Sequence, residues 1–158
     1  MPELESQSKC QLLCHINVRI ALTIIDIIIG ISNFLTYALQ FHNWSALTLT
    51  VIVTGFAFQT LIMFVAEKNG KIKNWRESSF RWIMWSDMVL GFIFLLIFIF
   101  CFVYAGITRI QFTNLYGENL WFTGLWATAI VKYTWQNAFL ARNYRRKLIS
   151  DKSIVESF

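Results

Sequence analysis

Among 158 residues there are two histidines, three cysteines and one proline, and charged residues make up only 15%. Each scarcity excludes something. Two histidines and scattered serines offer no nucleophile–base pair, and there is neither a phosphate-cradling glycine loop nor a metal-binding helix motif. The chain therefore reads as a non-enzyme with no catalytic residue. Three cysteines do not make a disulfide framework, since Cys10 and Cys14 fall on the expected reducing side of the chain and Cys101 falls inside an apolar run. The acidic opening Met1-Pro2-Glu3-Leu4-Glu5 lacks the basic start of a cleaved signal peptide, so the first apolar run is expected to remain in place.

What is plentiful is apolar sequence, at 56% of residues with 17% aromatics, more than a water-soluble domain of this length would carry. It falls into four stretches: Asn17 to Leu39, Trp44 to Ala66, Trp82 to Ala105 and Asn119 to Ala141. Each reaches the ~20 residues that carry a helix across ~30 Å of hydrocarbon. Continuous runs such as Val89 to Leu96 lack the period-2 alternation of a barrel strand. The expected fold is an all-α integral membrane protein, a four-transmembrane-helix bundle.

Basic residues set its orientation. Twelve of the fourteen lie in three places: Lys9 and Arg19; Lys68, Lys71, Lys73, Arg76 and Arg81; and Arg142, Arg145, Arg146, Lys147 and Lys152. Both termini are expected in the cytosol, with 1–16 a cytosolic segment, 17–141 the membrane domain and 142–158 a basic cytosolic tail. The two remaining loops, Gln40 to Asn43 and Gly106 to Glu118, are expected on the other side. The Asn43-Trp44-Ser45 sequon abuts the membrane there and is expected to stay unmodified. Anionic headgroups account for the net charge of +5, so the bilayer is the expected partner and nucleic acid is not.

Three ionisable residues interrupt the spans: Asp26, Asp87 and Lys132. Counting 1.5 Å per residue from the cytosolic ends places Asp26 about 14 Å deep, Lys132 about 15 Å and Asp87 about 8 Å. Asp26 and Lys132 are thus expected to meet at one level, either as a mutually satisfied pair or as the lining of a polar path that Asp87 also serves. Asn33, Gln59, Gln136 and Asn137 add neutral polar groups, read as interhelical hydrogen bonding or as cavity lining.

Ile107-Thr108-Arg109, Lys132, Leu140-Ala141-Arg142-Asn143-Tyr144 and the closing Ser153-Ile154-Val155-Glu156-Ser157-Phe158 resemble the haem-responsive-gene (HRG) family of four-span haem transporters. The resemblance covers the layout of the whole chain. It implies a transmembrane carrier that moves haem from the exterior or an endolysosomal lumen into the cytosol, with haem as transported ligand and not as a prosthetic group. Propionates call for Arg or Lys, the ring for aromatic and aliphatic walls, the iron for His, Tyr, Cys or Met. The motif at the end of the fourth span implies that Arg142 holds a propionate and that Tyr144 donates to iron.

The chain departs from the family where a histidine is expected after Ile-Thr-Arg, since Ile110 stands there, and in the second span, where only Met63 or Phe64 is available. The substitute haem-binding candidates are His42, Met63 and Tyr116, so that the iron donors would be His42 and Tyr144. Asp151-Lys152-Ser153-Ile154-Val155 resembles an endolysosomal sorting signal, and the expected home is the plasma membrane or an endosome or lysosome membrane. Four spans enclose little volume, so a homo-oligomer is expected. A different class also fits the layout, namely a non-transporting tetraspan scaffold or regulatory subunit of a larger membrane complex; it would need no water-accessible Asp26 or Lys132.

Overall fold

The computed structural model describes residues 2–111 and 117–155, with side chains over 15–111 and 117–150. Four helices account for nearly all of it: α1 (Pro2–Thr36), α2 (Trp44–Lys68), α3 (Glu77–Ile107) and α4 (Leu120–Val155). The last turn of α1 widens into a π segment, Tyr37–Phe41, and stops at His42, whose backbone is left-handed at φ 53°. A short 3₁₀ turn, Lys71–Asn74, joins α2 to α3 after Gly70. The first and last helices run beyond the expected spans into the terminal segments, where Leu, Arg, Lys and Glu sustain helix.

Among the described residues, three stretches are long and apolar enough to cross a bilayer: His15–Phe41, Trp44–Lys68 and Glu77–Ile107. Their outer faces carry exposed Ile28, Leu96 and Phe100, an inverted surface suited to acyl chains rather than water. The fourth helix is long but less apolar, because Lys132, Gln136 and Asn137 interrupt it. Packing explains how it tolerates them. Its buried residues Ala127, Ile130, Thr134, Asn137 and Ala141 recur alternately at three and four positions and form one stripe turned inward.

The chain pairs as two hairpins, α1 on α2 and α3 on α4, which join where α2 meets α4. Ile27, Leu49, Val53, Ala57, Ala127 and Ile130 fill the middle of that junction, and Met63, Phe80, Ala141 and Tyr144 fill the end nearer the basic loop. At the opposite end the long loop is tied to α2. Gly117 N–H donates to the Phe41 carbonyl at 2.8 Å, and the Glu118 carboxylate accepts from the Trp44 and Ser45 amides at 2.9 and 3.3 Å. These are unpaired first-turn amides of α2, and a negative charge there also suits the helix dipole.

Candidate functional site

Because α1 leans on α2, its seam with α4 is left open at the basic end, where a cavity of about 530 Å³ lies between them. On α1 it is lined by Arg19, Leu22, Thr23 and Asp26, spaced as i, i+3, i+4 and i+7, which is one helical face. From across the seam come Lys132, Tyr133, Gln136 and Leu140, again a single stripe, and Phe64 of α2 closes the back.

Asp26 and Lys132 meet as their depths predict, with Lys132 Nζ 3.5 Å from Asp26 Oδ2. The same oxygen accepts a very short hydrogen bond from the Tyr133 hydroxyl. Lys132 Nζ also stands 4.8 Å from the centre of the Tyr133 ring, within cation–π range. Arg19 makes no ion pair among the described residues; its guanidinium rests 5.9 Å from the centre of the Phe64 ring. Each side of the cavity therefore presents one cation, Arg19 from α1 and Lys132 from α4, one carboxylate is already engaged, and Leu22, Phe64 and Leu140 supply apolar surface. Such a site suits an amphiphile with a flat apolar body and acidic arms.

Toward the opposite end the seam is shut. Trp126 Nε1 donates to the Tyr37 hydroxyl at 3.1 Å, their rings meet edge to face at 6.3 Å, and Phe122 packs on Tyr37 at the same distance. Above that, His42 is exposed and Asn43 is buried, its side-chain oxygen accepting from Ala46 N–H at 2.9 Å as the N-cap of α2.

Other residues singled out from the sequence stand apart from the cavity. Asp87 is 2% exposed and faces Gln59 and Ser86 in a separate polar network. Met63 is fully buried, packed with Phe80, Ala141 and Tyr144, and lines neither cavity. Arg142 and Tyr144, two positions apart on α4, point to different sides: Arg142 is exposed, whereas Tyr144 is buried and donates a very short hydrogen bond to Glu67. Burial and the Glu67 charge push the Tyr144 phenol well above the ordinary tyrosine range, so in this arrangement it is a neutral donor and not a phenolate. Glu67 also pairs with Lys147 at 3.7 Å, beside a second opening of about 380 Å³ lined by Ile72, Lys73 and Leu148. Tyr116 and 156–158 lie outside the described residues, as do the side chains of Cys10, Cys14 and 151–155. Among the described residues no three of His, Cys, Asp and Glu converge.

Arg19, Tyr133, Tyr37 and Trp126 emerge only from the structure. The i, i+3, i+4, i+7 spacing from Arg19 to Asp26 was a signal for the first; nothing in the sequence marks the aromatic closure.

Compared with known proteins, the chain is 63% identical over 155 residues to "Heme transporter hrg-5" of Caenorhabditis elegans, covering 98% of this chain and 97% of that protein. It is 45% identical to "Heme transporter hrg-4" of the same organism, covering 91% and 88%. With "Heme transporter hrg-1" it shares 28% identity, covering 90% of this chain and 75% of the other. No family model matches the chain, and no solved structure does.

Proposed function

Since the chain belongs to the HRG family and is a transmembrane haem transporter, we propose that it carries haem into the cytosol, from the exterior or an endolysosomal lumen, through the seam between α1 and α4. The observation that carries this direction is the asymmetry of the seam. It is open beside Arg19 and Lys132 toward the basic end and shut by Tyr37 and Trp126 toward the other. With basic loops on the cytosolic side, this is the arrangement of a carrier that has just released cargo inward.

In this reading α4 is the fourth span, both termini lie in the cytosol, and the membrane is the plasma membrane or that of an endosome or lysosome. His42 and Tyr116 receive haem outside, and Arg142 with Tyr144 takes it at the cytosolic exit once the phenol has left Glu67. A second copy closes the lipid side of the seam, making the working unit a homo-oligomer. Expression in a haem-auxotrophic host tests the direction: growth on external haem is expected, weaker with His42→Ala. A protein that depletes cellular haem instead overturns it.

A further inference from the structure

Building on the reading of the chain as a haem carrier, we propose that Lys132 and Arg19 receive the two carboxylates of the cargo, and that Asp26 is an internal carboxylate occupying Lys132 until a cargo carboxylate replaces it. The Lys132–Asp26 contact, 3.5 Å, is longer than the ~2.7–2.9 Å of a charge-assisted hydrogen bond. Asp26 meanwhile has a donor that does not depend on Lys132, the Tyr133 hydroxyl on the same oxygen. Separating an ion pair inside a bundle is costly when it strands one charge. Here Tyr133 stays with Asp26, and Lys132 gains a new carboxylate for the one it gives up, so the charge around its ammonium is unchanged.

Exposure agrees. Although Lys132 lies in the interior of α4, its side chain is 61% exposed, and it lines the cavity rather than the packed core. Arg19, seven residues before Asp26, lies about 10 Å along the same face toward the cavity mouth. Its planar fork is free of carboxylates among the described residues and can grip one bidentately while the cation stays over Phe64. The lining holds no His, Cys or Met, and its tyrosine hydroxyl is engaged by Asp26. The cavity therefore reads the acidic arms and the ring of a porphyrin and is indifferent to its metal.

The experiment titrates the full chain in lipid nanodiscs with haem, iron-free protoporphyrin and haem dimethyl ester, following tryptophan quenching and recording melting temperature for each variant. Lys132→Gln and Arg19→Gln are each expected to weaken haem and iron-free porphyrin alike by about tenfold, as the loss of a hydrogen bond between charged groups implies, and to leave the ester unchanged. Lys132→Arg retains binding. Asp26→Asn, which removes the competing carboxylate, tightens haem by several-fold. Should Lys132→Gln fail to fold with Asp26 unpaired, the double variant D26N/K132Q removes both charges and is expected to prefer acid over ester about tenfold less than the unsubstituted chain, the remaining preference belonging to Arg19.

Ester binding as tight as acid binding by the unsubstituted chain, or Asp26→Asn weakening haem at an unchanged melting temperature, overturns the exchange. If the unsubstituted chain binds and moves haem while these variants match it, only this inference falls. A chain that neither binds nor moves haem removes the transport reading itself.

Discussion

The amide of Gln59 on α2 donates to a carboxylate oxygen of Asp87 on α3 across 2.8 Å. Next to it, Thr60 donates to the Asn137 side chain of α4 at 2.6 Å, and the Asn137 amide reaches the Phe56 carbonyl at 3.2 Å. Three helices are thereby joined by polar groups. No described basic residue pairs with Asp87, so the network and not an ion pair satisfies that side chain.

Asp87→Ala is expected to lower stability by about 1–3 kcal/mol, because the Gln59 amide is left without its acceptor. Asp87→Asn, which keeps an acceptor oxygen, should lose less than Asp87→Ala. Unfolding in detergent micelles measures both, and equal losses would remove the network from the account.

Close approach of α3 and α4 depends on Gly91. A methyl group there would lie 2.3 Å from Trp135 Nε1 and 2.9 Å from Thr134 Oγ1. Gly91→Ala should destabilise by about 1–3 kcal/mol, the usual cost of overfilling packed contact. Gly55→Ala is the control, since nothing lies within 4 Å of its added carbon; the helix propensity of alanine makes it neutral or up to about 1 kcal/mol stabilising.

Tyr144 carries a pH prediction. Burial first, then Glu67, raises its phenol above the ordinary tyrosine range. A raised value means that its contribution is fully present below the unfolded pKa of ~10 and is lost as pH climbs beyond it. The stability gap between the unsubstituted protein and Tyr144→Phe should stay constant from near neutrality to that point and then shift against tyrosine. A gap that changes near pH 7 would show that Tyr144 ionises there.

At the opposite end, Glu118→Ala should cost about 1 kcal/mol, as the loss of a helix cap does, through the released Trp44 and Ser45 amides. Asn43, 1% exposed and committed to capping α2, should carry no glycan in a glycosylating host. A glycosidase-sensitive mass shift abolished by Asn43→Gln would contradict this placement.

Much of this was legible before any coordinates. Runs such as Val89 to Leu96 and the clustered Lys and Arg declared membrane helices and an expected sidedness, because twenty-odd apolar residues have few alternatives in water and the basic residues congregate between and after the runs. Helical rise alone brought Asp26 level with Lys132, and the structure has them 3.5 Å apart. Counting along helices could not tell where Asp87 faces, since rise per residue says nothing of azimuth: it pairs with Gln59 of α2 and stands apart from the seam. Met63 was misleading for the same reason, being at a suitable depth but turned into Phe80 and Tyr144.

One-dimensional order thus carried the solvent, the helix count, the expected sidedness of the loops and one ion pair, all of which follow from local hydropathy, charge and rise per residue. Which face each helix turns to its neighbours came from packing in three dimensions, where shapes such as Gly91 against Trp135 set the approach of helices far apart in the chain. That choice leaves α1 leaning on α2, opens the wall between Arg19 and Lys132, and closes it at Tyr37 and Trp126.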